Sequence, residues 1–204
     1  MTLANRITMT RAVLAIIMYV CILIPQLSFR LAALILLVLA GFTDWIDGVI
    51  ARRTGSVTPF GAIADPFVDK ILVMAAFLAF LGAKEISVPA WSVFIILARE
   101  FMISSLRVLA ALHGEIMSAE KWGKWKTCMQ FTVLFIILGI LSLKTWLNRH
   151  PVPSGPVHFI DVNAHAITWW LSVFTAAVTM ASGLAYLYTH KTMLRKSSSI
   201  QKTH

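Results

Sequence analysis

Long apolar runs, broken at short intervals by turn residues, dominate this sequence and leave few folds open to it. A helix that crosses a hydrocarbon layer needs ~20 mostly apolar residues. Stretches 9–27, 30–53, 60–83, 88–113, 125–147 and 165–189 meet that need. Breakers separate them: Pro25-Gln26, Thr54-Gly55-Ser56, Lys84-Glu85, His113-Gly114 and the run from Pro151 to Pro156. Only 13% of the residues are charged and 58% are hydrophobic, against ~25% charged in an average soluble domain. The expected fold is therefore all-α and integral to a membrane, with six transmembrane helices in one domain over 1–204. Residues 191–204 form a basic cytoplasmic tail in this reading.

Charge sets an orientation. The formal net charge is +9, which in so apolar a chain points to membrane topology and anionic lipid, not to nucleic acid. Arg6, Arg11, Arg52, Arg53, Lys121, Lys124, Lys126, Lys191, Arg195, Lys196 and Lys202 fall at one set of span ends. Arg30, Lys84, Lys144 and Arg149 fall at the other. The positive-inside bias then makes both termini cytoplasmic in a multi-pass protein of the cell (inner) membrane. Arg6 and Arg11 ahead of an apolar run ending at Pro25 imitate a secretory leader, but no small-residue cleavage motif follows, so the segment reads as a retained span. Cys21 and Cys128 lack any metal-ligand spacing and read as buried small hydrophobes.

Asp44, Asp47, Asp65 and Asp69 are four of only nine acidic residues, and they crowd into two consecutive spans. A charged side chain near a bilayer centre costs ~2.5–3.5 kcal/mol and by default marks a functional site. At 100° per residue, Asp44, Asp47, Gly48 and Ala51 share an arc of about 100°, and Gly61, Asp65 and Asp69 share one of about 80°. The short loop between the spans makes them antiparallel neighbours, so the two arcs can converge near the cytoplasmic end. Four carboxylates together need a counter-charge, and hard divalent cations such as Mg2+ or Mn2+ suit an all-oxygen set. No His or Cys lies in the cluster, which disfavours Zn2+. Small Gly48, Ala51 and Gly61 leave room for a ligand against the backbone. A set of intramembrane ion pairs is the alternative, but the sequence offers too few basic partners at that depth. A carboxylate-lined cation transporter is another, but its acids should be spread along a pathway.

These residues resemble a known family. Asp44-x2-Asp47-Gly48-x2-Ala51-Arg52, a loop of about eight residues, then Gly61-x3-Asp65-x3-Asp69 is similar to the signature of the CDP-alcohol phosphotransferases. The N-terminal Asn5-x2-Thr8-x2-Arg11 resembles the family's N-x-x-T-x-x-R. The resemblance implies the family's six-helix fold, often as a homodimer, and transfer of a phosphate-linked group from a CDP-linked substrate to an alcohol with release of CMP. It implies that Asp44, Asp47, Asp65 and Asp69 hold two divalent metals, Mg2+ or Mn2+, on the CDP pyrophosphate. Asp69 would also be the general base. Gly48, Ala51 and Gly61 would border the cytidine, Arg52 would lie near its phosphates, and Asn5 and Thr8 would join the CDP-lipid site.

Downstream, Ala98-Arg99-Glu100-x3-Ser104-Ser105-Leu-Arg107 and Gly123-Lys124-x-Lys126-Thr127 resemble the branch that takes CDP-diacylglycerol and sn-glycerol 3-phosphate. An acceptor that carries a phosphate needs fixed positive charge. Arg99 and Arg107 stand two turns apart within an 80° arc, and Lys124 and Lys126 stand at the start of the fifth span. Together they are the expected acceptor-phosphate site. Pairing of both arginines with Glu100 is the structural alternative, and inositol phosphate, serine or phosphatidylglycerol are alternative acceptors.

Overall fold

The computed structural model describes residues 3–54, 59–112, 121–150 and 155–189, with side chains over 10–41, 70–110, 125–150 and 155–189. Every regular element among the described residues is an α-helix: α1 Leu3–Leu23, α2 Leu27–Thr54, α3 Pro59–Gly82, α4 Ala90–Leu112, α5 Lys121–Leu147 and α6 Pro156–Thr189. The boundaries follow local chemistry. α1 stops short of Pro25, because the residue before a proline is pushed out of the helical region. α6 starts nine residues before the expected 165. Pro156 takes the first helical position, where its missing N–H costs nothing. Gly155 ahead of it adopts φ 99° and accepts the Phe159 N–H at 3.1 Å. Trp169 and Trp170 consequently lie mid-helix.

Side-chain contacts give the direction of each helix. Leu23 at the end of α1 meets Gly82 at the end of α3, so these two run parallel. A Cβ on Gly82 would stand 2.7 Å from Leu23 Cδ2. This close approach, with Ala15, Ala76 and Ala79 buried alongside, makes α1–α3 the most extensive helix pair. α2 packs on α1 and α5 and touches α3 only narrowly. Lys70 of α3 reaches Ser104 of α4, and Arg30 of α2 reaches Leu141 of α5. Lys144 of α5 reaches Asp161 of α6. Each of these pairs is antiparallel, and Glu85 just past the end of α3 meets Arg30 at the start of α2, so successive helices alternate.

One core draws on all six helices, with Met18, Leu37, Phe77, Phe80, Ile96, Leu134, Ile137, Leu138 and Ala164 almost wholly buried. The outer surface is equally apolar: Ile16, Ile35, Phe94, Phe159, Val162 and Trp170 are all more than 60% exposed. An apolar core inside an apolar shell is the arrangement expected of a chain solvated by lipid. Cys21 is buried as expected, whereas Cys128 is exposed on α5.

Among the described residues, Trp125–Leu147 and Pro156–Thr189 are apolar and long enough to cross a membrane. Thr10–Leu23, Leu27–Gly41 and Lys70–Gly82 are shorter apolar segments of α1, α2 and α3. α4 differs because Arg99, Glu100 and Arg107 interrupt it, and those residues lead to the site.

Candidate functional site

The backbone is helical through both acidic segments, Asp44–Asp47 in α2 and Asp65–Asp69 in α3. Helical i, i+3 and i, i+4 spacing keeps each set of aspartates on one face of its helix. The side chains of Asn5, Thr8, Asp44, Asp47, Gly48, Ala51, Arg52, Gly61, Asp65, Asp69 and Lys124 lie outside the described residues, as does the 191–204 tail. Carboxylate as a residue chemistry fits a hard divalent ion.

Immediately after Asp69 the described side chains begin, and they form a charged cluster between α3, α4, α5 and α6. Glu100 is its centre, only 4% exposed. Its Oε2 pairs with Lys70 Nζ at 2.9 Å. Its Oε1 pairs with Lys126 of α5, with Arg99 Nη1 at 3.4 Å and with Gln130 Nε2 at 3.4 Å. Lys70 also donates to Ser104 Oγ at 2.6 Å. Helical spacing explains the convergence: Glu100, Ser104 and Arg107 stand at i, i+4 and i+7 on α4, and Lys126 and Gln130 at i and i+4 on α5. A buried carboxylate is tolerated only when its oxygens are satisfied, and here both are.

The two arginines turn to α6. Arg99 donates from Nη2 to Ser182 Oγ at 2.9 Å, and its buried Nε has no hydrogen-bond partner. Its stem lies over Gly183, where a Cβ would come within 2.9 Å of Arg99 Cγ. Arg107 donates from Nε to Tyr186 Oη at 3.4 Å, with its guanidinium carbon 5.3 Å from the centroid of the same ring. Pairing of both arginines with Glu100 is thus realised for Arg99 alone. Among the described side chains of this cluster three cations, Lys70, Arg99 and Lys126, end on one carboxylate, and Arg107 stands two turns further along α4 against Tyr186. Such an excess in a half-dry site suits an anion.

Sequence reasoning did not reach Gln130, Ser182, Gly183 or Tyr186, and weighed Glu100 only as a partner for arginine. The signals are weak but readable. Gln130 repeats the face of Lys126, and Ser182-Gly183 is a small pair inside a long apolar helix, the kind that lets another helix approach.

A helix bundle that carries an acidic motif and, next to it in sequence, a cationic cluster suits an anionic substrate. Residues 1–181 match the family model described as CDP-alcohol phosphatidyltransferase, and the chain belongs to that family. It is 33% identical to the CDP-diacylglycerol–glycerol-3-phosphate 3-phosphatidyltransferase of Bacillus subtilis (strain 168), over 96% of this chain and 98% of that protein. The similarly named protein of Rickettsia typhi (strain ATCC VR-144 / Wilmington) is also 33% identical, over 93% and 97%. A cardiolipin synthase (CMP-forming) of Oryza sativa subsp. japonica is 34% identical over 66% of this chain and 44% of its own.

Proposed function

We propose that this protein transfers a phosphatidyl group from CDP-diacylglycerol to the primary hydroxyl of sn-glycerol 3-phosphate, releasing CMP. Two relatives aligned over nearly their whole length bear the name of that reaction. The observation that carries the acceptor choice is the cationic cluster that follows Asp69 in sequence: Lys70, Arg99 and Lys126 around the carboxylate of Glu100, with Arg107 two turns further along α4. A phosphorylated acceptor matches that charge and a neutral alcohol does not.

Asp44, Asp47, Asp65 and Asp69 would hold two Mg2+ or Mn2+ ions, which when bound neutralise the pyrophosphate and the departing CMP. Asn5, Thr8, Gly48, Ala51, Arg52 and Gly61 line the CDP-lipid site. Arg99, Arg107, Lys124 and Lys126 bind the acceptor phosphate and orient its hydroxyl. Asp69 takes the hydroxyl proton as oxygen attacks the lipid-side phosphorus. The new P–O bond forms as the bond to CMP breaks. The same proposal holds a six-span chain in the cell (inner) membrane with both termini cytoplasmic, working as a homodimer. The alternation of helix directions supports an even number of crossings.

Release of CMP from CDP-diacylglycerol by purified protein, measured with a panel of acceptors, tests the reading. Glycerol 3-phosphate should react and glycerol should not, because a site built for a charged group is left with unpaired buried charge by the analogue that lacks it. Equal turnover with glycerol, or preference for serine or inositol phosphate, overturns the acceptor assignment. Arg107→Ala should raise the KM for glycerol 3-phosphate and leave that for CDP-diacylglycerol unchanged.

A further inference from the structure

Glu100 is an unexpected residue at the centre of a site for an anionic acceptor, since a carboxylate there repels the very group the cations attract. Its geometry explains its presence. Lys70, Arg99 and Lys126 come from α3, α4 and α5, and each one ends on Glu100. Lys126 is 2% exposed and Arg99 is 9% exposed. Like charges in a site of low effective dielectric repel strongly, so these groups would not stay together at this depth without a shared anion. Gln130 donates to the same oxygen as Lys126 and Arg99, which orients the carboxylate. Lys70 follows Asp69 directly in α3, and its bonds to Glu100 and Ser104 tie that turn of α3 to α4.

We infer that Glu100 is a positioning residue for the acceptor: its carboxylate gathers one cation from each of three helices beside the Asp69 turn, and so makes the site selective for a phosphorylated alcohol. The inference rests on the acceptor reading proposed above. Glu100 does not touch the acceptor; it acts through Lys70, Arg99 and Lys126. A dianionic phosphate entering the site meets cations already held together.

The test compares Glu100→Gln, Glu100→Asp and Gln130→Leu with the unaltered protein in detergent or nanodiscs, measuring KM separately for glycerol 3-phosphate and CDP-diacylglycerol. Glu100→Gln keeps the side-chain size and removes the charge. It should raise the KM for glycerol 3-phosphate at least tenfold and leave that for CDP-diacylglycerol within twofold. Glu100→Asp should recover part of the loss. Gln130→Leu, which removes one neutral hydrogen bond to Glu100, should raise the same KM about threefold and decides the matter if Glu100→Gln does not fold. An unchanged or lowered glycerol 3-phosphate KM in Glu100→Gln, or in Gln130→Leu where that variant decides, overturns the inference. So does a parallel rise in both KM values that aspartate does not relieve, since that is the mark of a merely structural carboxylate. If the unaltered protein ignores glycerol 3-phosphate, the acceptor reading itself falls. If it uses that acceptor and Glu100→Gln does too, only the role of Glu100 falls.

Discussion

Gly183→Ala adds a single methyl group at the back of the cationic cluster and brings no charge of its own. The new Cβ would lie 2.9 Å from Arg99 Cγ and 3.4 Å from Arg99 Nε. Carbon atoms rest at ~3.5–4.0 Å, so the arginine stem must retreat by roughly 0.6–1 Å. Cγ sits near the root of the side chain, where such a retreat carries the whole guanidinium with it. The Arg99 Nη2 to Ser182 Oγ bond is 2.9 Å long, and N–H···O bonds are lost beyond about 3.2–3.5 Å. A hydrogen bond to a charged group is worth ~1.5–3 kcal/mol, and 1.4 kcal/mol is a factor of ten. The KM for glycerol 3-phosphate should therefore rise roughly tenfold, with about a hundredfold as the upper bound. The KM for CDP-diacylglycerol should not move. Overpacking should also cost about 1–3 kcal/mol of stability, visible as a lower thermal midpoint. CMP release with one substrate varied and the other saturating reads both constants. A folded Gly183→Ala protein with an unchanged glycerol 3-phosphate KM would show that the seat of Arg99 on α6 has no part in acceptor binding.

Other expected outcomes bear on the aspartates and on the opposite end of the bundle. EDTA should abolish CMP release, and Mg2+ or Mn2+ should restore it; full turnover in metal-free buffer would end the two-metal reading. Asp69→Asn should lose turnover while CDP-diacylglycerol binding persists in part, as equilibrium binding of a labelled lipid would report. Near-normal turnover would move the base elsewhere. Arg30, 1% exposed, donates to Leu141 O at 3.1 Å and pairs with Glu85 at 2.7 Å. Breaking a buried pair costs ~3–5 kcal/mol, reduced here to about 2 kcal/mol because Glu85 keeps some contact with the surroundings. Arg30→Met should thus lower the thermal midpoint with kcat and both KM values unchanged, since Arg30 lies about 20 Å along α2 from Asp44. A selective change in acceptor KM would contradict that separation.

Helix number, approximate boundaries and the acidic motif were legible in the chain itself. Each follows from local rules: apolar run length, the backbone limits of Pro25 and Pro156, and the i, i+3 and i, i+4 spacing that holds for any helix. The expectation about Cys128 failed because an apolar environment lies outside this bundle as well as inside it, so hydrophobic character no longer separates buried from exposed. Helix neighbours were less legible for the same reason. α1 and α3 pair most closely because Gly82 admits Leu23, a fit of shape that run length does not encode. The central role of Glu100 was beyond reach of the sequence. Lys70, Lys126 and Gln130 lie about 30 residues away from Glu100, and no periodicity links positions on different helices. Only the packing of α3, α4 and α5 brings their charges within a few ångströms, where Coulomb attraction and the cost of burying an unpaired charge decide which side chains must meet.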